Sequence, residues 1–149
     1  MLYKIINLLL ILFFAAALTG CSSSKNCTPE ENFQIDFYSS GGFTSITNGI
    51  TIDCVGLVKS WQVNNGNEKI FRDSLKLEDS TFNAIHRLLN DNAWLTYKND
   101  FRGNVTTYLH IKLKNQTNEI SFNSFDLPLN MPASLTELIT IIKSIRFKE

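Results

Sequence analysis

Three cysteines and two histidines are the side chains best able to do chemistry in this 149-residue chain. Cys21, Cys27 and Cys54 could be acylated, joined as a disulfide or used as thiolates; His86 and His110 could ligate a metal or move a proton. A structural zinc site takes ligands in closely spaced pairs, because two donors must reach one ion from one turn. Neither histidine has a cysteine or a second histidine at such a spacing, so no metal site is expected. Gly-x-Ser-x-Gly, the phosphate-cradling Gly-x-x-x-x-Gly-Lys-Ser/Thr and the dinucleotide fingerprint are all missing from the sequence. Cys54 with His110 would make a nucleophile and base, but an exported cysteine with a second cysteine at hand serves more simply as half of a disulfide. The expectation is a non-enzymatic protein with no catalytic residue and no cofactor.

Cys21 closes the run Leu18-Thr19-Gly20-Cys21, after one basic residue, Lys4, and an apolar stretch from Ile5 to Leu18. At about 14 residues that stretch is short of the ~20 a helix needs to cross a bilayer. A charged start, a short apolar core and small residues ahead of a cysteine resemble the signal of bacterial lipoproteins. The resemblance implies that residues 1–20 are a signal peptide, cut off ahead of Cys21, whose thiol is acylated. More than one acyl chain makes such anchoring stable, at ~0.8 kcal/mol per buried methylene. Ser22 stands where an inner-membrane retention signal of diderm bacteria has aspartate, and residues 22–28 contain no acid. The expected location is therefore the outer membrane, lipid-anchored and facing the periplasm.

Fourteen Lys and Arg balance fourteen Asp and Glu, which gives no reason to expect nucleic acid or an anionic surface as partner. Residues 21–32, polar and containing Pro29, read as a lipidated tether, and residues 33–149 suffice for a single domain with its own core. Two cysteines then remain. A hairpin between Phe33–Tyr38 and Ile50–Cys54 would bring Cys54 beside the start of the first strand, with Cys27 a few residues upstream. A Cys27–Cys54 bridge closes a loop of roughly 28 residues and would contribute about 3–4 kcal/mol by restricting the unfolded chain. The other reading keeps Cys54, in phase with Ile50 and Ile52, as a buried free thiol.

The elements that must position these residues follow from hydrophobic period. Phe33, Ile35 and Phe37 alternate with Gln34, Asp36 and Tyr38, a half-buried strand. Leu57 to Val63 forms another, with Trp61 and Val63 on one face, and Asn65-Gly66 signals a hairpin into Lys69–Leu77. In that return strand Phe71, Leu75 and Leu77 are in phase and Asp73 interrupts them, which suits an edge. Asp79 or Ser80 can cap a helix carrying Phe82, Ile85, Leu88 and Leu89. Val105, Thr107, Leu109, Ile111 and Leu113 oppose Thr106, Tyr108, His110, Lys112 and Lys114 in the cleanest strand of the chain. A turn over Asn115–Asn118 leads to Ile120 and Phe122. Pro132 fits the first turn of a helix whose Leu135, Leu138, Ile139, Ile142 and Ile145 form one apolar stripe. The expected fold class is α+β: a mainly antiparallel sheet of five to six strands with two amphipathic helices on one face.

Gly41-Gly42 can reverse the chain tightly, because glycine accepts positive φ. Phe43 then either tucks beneath the turn or stands at its tip as an aromatic anchor for a partner. Ser40-Gly41-Gly42-Phe43-Thr44 resembles the Ser-Gly-Gly-Phe-Ala-Gly signature of emfourin-like proteins, small inhibitors of thermolysin-like metallopeptidases. The later layout is similar: an amphipathic helix running to Trp94-Leu95, a linker with Asp100, a strand bearing Tyr108, a hairpin and a terminal helix near Pro132. The chain departs from that pattern at Ser45, in an extra hairpin through Trp61 and Asn65-Gly66, and in its lipid signal. The resemblance implies Gly41, Gly42 and Phe43 as a contact loop for a peptidase. Three functions are thus in play: an envelope binding module, a peptidase inhibitor, and a structural envelope component.

Overall fold

The computed structural model describes Cys27 and residues 32–42, 46–64 and 68–147. The signal segment with Cys21, Phe43 of the glycine loop, and Asn65-Gly66 lie outside the described residues.

Six strands form one sheet: β1 (Phe33–Gly41), β2 (Thr47–Asp53), β3 (Leu57–Val63), β4 (Lys69–Lys76), β5 (Val105–Leu113) and β6 (Gln116–Asn123). Their order is β4-β3-β2-β1-β5-β6, and every neighbouring pair is antiparallel. Three helices complete the α+β fold: α1 (Asp79–Leu89), α2 (Ala93–Thr96) and α3 (Ala133–Ser144). From edge strand β4 the chain passes through α1 and α2 before returning at β5, beside β1. None of the helices among the described residues is long and apolar enough to cross a membrane.

Alternation decides which face the helices cover. Phe33 and Ile35 of β1, Ile52 of β2, Val58 of β3, Leu109 and Ile111 of β5, and Ile120 and Phe122 of β6 are buried in one cluster. Ile85, Leu88 and Leu89 of α1 and Leu135, Leu138, Ile139 and Ile142 of α3 complete it. Each such side chain contributes about 1.5–3 kcal/mol on full burial. Trp94 of α2 is buried as well and donates its indole N–H to the Leu89 carbonyl at 2.7 Å, which ties α2 to the end of α1.

Several details differ from the sequence expectation. Glu78, not Asp79 or Ser80, is the N-cap of α1, and no side chain caps it. Pro132 sits at the N-cap of α3 rather than inside the first turn. The β5–β6 reversal falls at Lys114-Asn115, where Lys114 has φ 55°, one residue ahead of the expected turn. Most consequential is an irregularity in the β3–β4 pairing between Ser60 and Trp61. Leu75 pairs with Val58 and faces the core, whereas Phe71 pairs with Trp61 on the opposite face and is 58% exposed. A bulge adds one residue to one strand and flips the side of everything beyond it, so Phe71 and Leu75 do not share a face.

Cys27 and Cys54 are joined as a disulfide, with Cα atoms 5.9 Å apart. Cys54 lies in the turn between β2 and β3, next to Asp53, which pairs with Gln34 near the start of β1.

Candidate functional site

Among the described residues no helix packs on the second face of the sheet, and the polar halves of β1 and β5 point there. Gln34, Asp36 and Tyr38 alternate with the core residues of β1; across the register, Asp36 meets Thr51 and His110, and Tyr38 meets Gly49 and Tyr108. Gly49 in turn pairs with Trp61, and His110 with Glu119. Five strands thus deliver one residue or more to a single patch.

Trp61 is the centre of that patch and only 5% exposed. Sequence phase put it with Val63 on one side of β3; that side is the open face, and the core side is held by Val58. The indole gains its cover from neighbours on the same face. It passes over Gly49, where any Cβ would stand 2.6 Å from Cζ2 of Trp61, so only glycine leaves the ring room. Its N–H donates to Thr51 Oγ1 at 3.0 Å. The Thr51 hydroxyl donates onward to Asp36 Oδ1, and Gln34 Nε2 donates to Asp36 Oδ2 at 2.7 Å.

Asp36 is the hub. Its side chain is 12% exposed, and beyond those two donors it faces Lys69 Nζ at 3.7 Å and His110 Nδ1 at 3.8 Å. A carboxylate so far removed from water stands only where donors and cations replace its hydration. Lys69 also lies 3.9 Å from the centroid of the Trp61 ring, a close cation–π seat. Tyr38 stacks on Tyr108 with centroids 4.9 Å apart and meets Trp61 at 5.6 Å. Its hydroxyl donates to Glu119 Oε2 at 3.3 Å. Burial, followed by the adjacent Glu119 charge, pushes the Tyr38 phenol up to about 12.

Between Asp36, Tyr38, Trp61, Lys69, His110 and Glu119 opens a cleft of about 300 Å³. It offers aromatic faces, two carboxylates, one ammonium and one imidazole, which are the means of recognition by stacking and charge. No group of His, Cys, Asp and Glu among the described residues is arranged to hold a metal ion. A larger cleft of about 440 Å³ lies on the helix side, where Phe37, Ile50 and Gln62 of the sheet meet Arg72, Ile142 and Lys143.

The residues singled out by sequence occupy the two ends of the sheet rather than its centre. Cys27 and Cys54 are brought together at one end, so the Cys54 thiol is not available to His110, which faces Asp36 instead. Gly41 and Gly42 lie at the other end, with φ of 114° and 79°. Gly42 N–H donates to the Asn104 carbonyl at 2.7 Å, and a Cβ on Gly41 would clash with that same oxygen. The glycine pair therefore lets the chain pass tightly against the start of β5. His86 lies on α1 with its Nδ1 3.4 Å from the Asn90 amide, away from the open face. Trp61, Lys69 and Glu119 were missed by sequence reading, and the only pointer to this face was the polar alternation Gln34, Asp36, Tyr38 against Tyr108, His110, Lys112. The chain matches no family model and no curated protein.

Proposed function

We propose that this is a non-enzymatic, lipid-anchored protein of the outer membrane that binds a protein partner through the open face of its sheet. The observation that carries the reading is Trp61, buried at 5% exposure on a face that no helix among the described residues covers. Folding spends a tryptophan, a glycine beneath it and a hydrogen-bonded carboxylate hub on a surface that the core does not need. Rigid aromatic residues flanked by charge are what binding hot spots are made of. The lipoprotein-type signal ending at Cys21 supports the anchored placement.

A photo-crosslinking residue at Tyr108, on the open face, tests the reading against the same residue at Thr140, exposed on α3. The expected result is a discrete crosslinked partner from the Tyr108 position only. Identical products from both positions, or none from Tyr108, would overturn it. Anchoring is tested separately: Cys21→Ser should abolish incorporation of a fatty-acid analogue and release the protein from the membrane fraction.

A second reading, peptidase inhibition, is favoured by one observation. The Gly41-Gly42 base of the loop is held against Asn104, which gives that loop a fixed root. If the emfourin resemblance extends to activity, the protein slows a thermolysin-like enzyme, and Phe43→Ala weakens that effect by more than about tenfold. No inhibition at high micromolar protein removes this reading.

A further inference from the structure

The cleft already contains an example of what it can hold. Lys69, from edge strand β4, places its ammonium 3.9 Å from the Trp61 centroid and 3.7 Å from Asp36 Oδ1. Its side chain is still 40% exposed, so the seat is reached from solvent. An ammonium over an indole beside a carboxylate is favourable, the more so as water is excluded.

Charge in the cleft is not balanced by that lysine. Of the Asp, Glu, Lys and Arg side chains that line the cleft, two are carboxylates, Asp36 and Glu119, and one is an ammonium, Lys69. Glu119 is exposed, and among the described residues its carboxylate accepts only the Tyr38 hydroxyl, at 3.3 Å. Beside it stand the stacked rings of Tyr38 and Tyr108, whose π faces attract cations and not anions. Further out on the same face, Lys59 is engaged over Phe71 at 5.9 Å, and Lys112 lies two residues beyond His110. Neither lines the cleft.

Resting on the open face as the binding surface, we propose that this cleft is a recognition seat for a cationic side chain of the partner, a lysine or an arginine. The incoming cation lies between Glu119 and the Tyr38 and Trp61 rings, and Lys69 competes with it for the Asp36 end. Lys69 is thus an internal stand-in that lowers affinity for weak cations and gives way to a partner that contributes further contacts.

The test uses the full chain in a non-ionic maltoside detergent and follows the Trp61 indole N–H by NMR. The probe is a capped Gly-Arg-Gly peptide, with the uncharged Gly-citrulline-Gly peptide as its isosteric control. The arginine peptide should shift the indole resonance and the citrulline peptide should not. Lys69→Gln should tighten arginine-peptide binding at least about fivefold, and Glu119→Gln should weaken it at least about fivefold, about 1 kcal/mol in each case. Lys69→Met supplies the same measurement where Lys69→Gln fails to fold. Equal binding of both peptides, or unchanged affinity on removing Lys69, overturns the proposal. A Tyr108 crosslink that persists in that event leaves the binding module standing without its cation seat. Loss of the crosslink with arginine binding intact has the reverse meaning.

Discussion

The indole of Trp61 lies across the backbone of Gly49, so close that a methyl group there would stand 2.6 Å from the ring and 2.5 Å from Tyr38 Cβ. The patch on the open face therefore depends on a residue that contributes no side chain. Gly49→Ala should cost about 1–3 kcal/mol as the ring is forced off its site. Denaturant unfolding reads the loss, and a displaced Trp61 indole N–H reads its cause. An unchanged indole resonance with full stability would contradict the packing described.

Tyr38 gives the site a signature at high pH. Its phenol is pushed up to about 12 by burial and by Glu119, against 10 for the free side chain. Between those values the unfolded chain has lost the proton and the folded chain has kept it, so stability falls as pH rises. The contribution is fully present below pH 10 and gone above about 12. The stability advantage of wild type over Tyr38→Phe should shrink across that window. A tyrosinate titration should show the last-ionising step disappearing in the variant.

Closing the Cys27–Cys54 loop restricts the unfolded chain by about 3–4 kcal/mol. The double variant Cys27→Ser, Cys54→Ser should lose stability by that order in a denaturant titration. Intact mass should rise by two hydrogens on reduction of the wild type. Two alkylatable thiols without reductant would contradict the bridge.

Gly41 combines φ 114° with an Asn104 carbonyl where its Cβ would be. Gly41→Ala meets both strain and collision and should cost on the order of 2 kcal/mol or more. Gly42→Ala shares the positive φ, but its Cβ would meet only the Val105 side chain, at 3.9 Å. The smaller loss expected there separates close approach from backbone preference; equal losses would assign both to φ alone.

Much of the scaffold could be read from residue spacing. The alternation in β1 and β5 names both faces correctly, the stripe of α3 names its four buried residues while Ile145 falls just past the helix, and the Cys27–Cys54 pairing follows from the expected hairpin of the first two strands. Spacing fails where long-range pairing decides. Period-2 phase groups Trp61 with Val63 but does not say which side of the sheet the helices will choose. The bulge near Ser60 and Trp61 reverses Phe71 relative to Leu75, and no local signal announces it. Tyr38 and Glu119 lie 81 residues apart and meet only because β5 pairs with β1 on one side and β6 on the other. Lys69, at the far edge, enters the site by the length of its side chain.

If Cys21 is acylated as proposed, the disulfide also sets how far the domain can stray from that anchor. Counted along the chain to Phe33, an acylated Cys21 would have a leash of twelve residues, ~40 Å at full extension. Fastening Cys27 to the β2–β3 turn leaves six, ~20 Å. That turn would then be the lower rim of the domain, with β1, nine residues and ~30 Å long, rising from it like a mast. On the proposed anchoring at Cys21, the glycine pair would crown the end farthest from the lipid, and the open face would stand sideways to the bilayer.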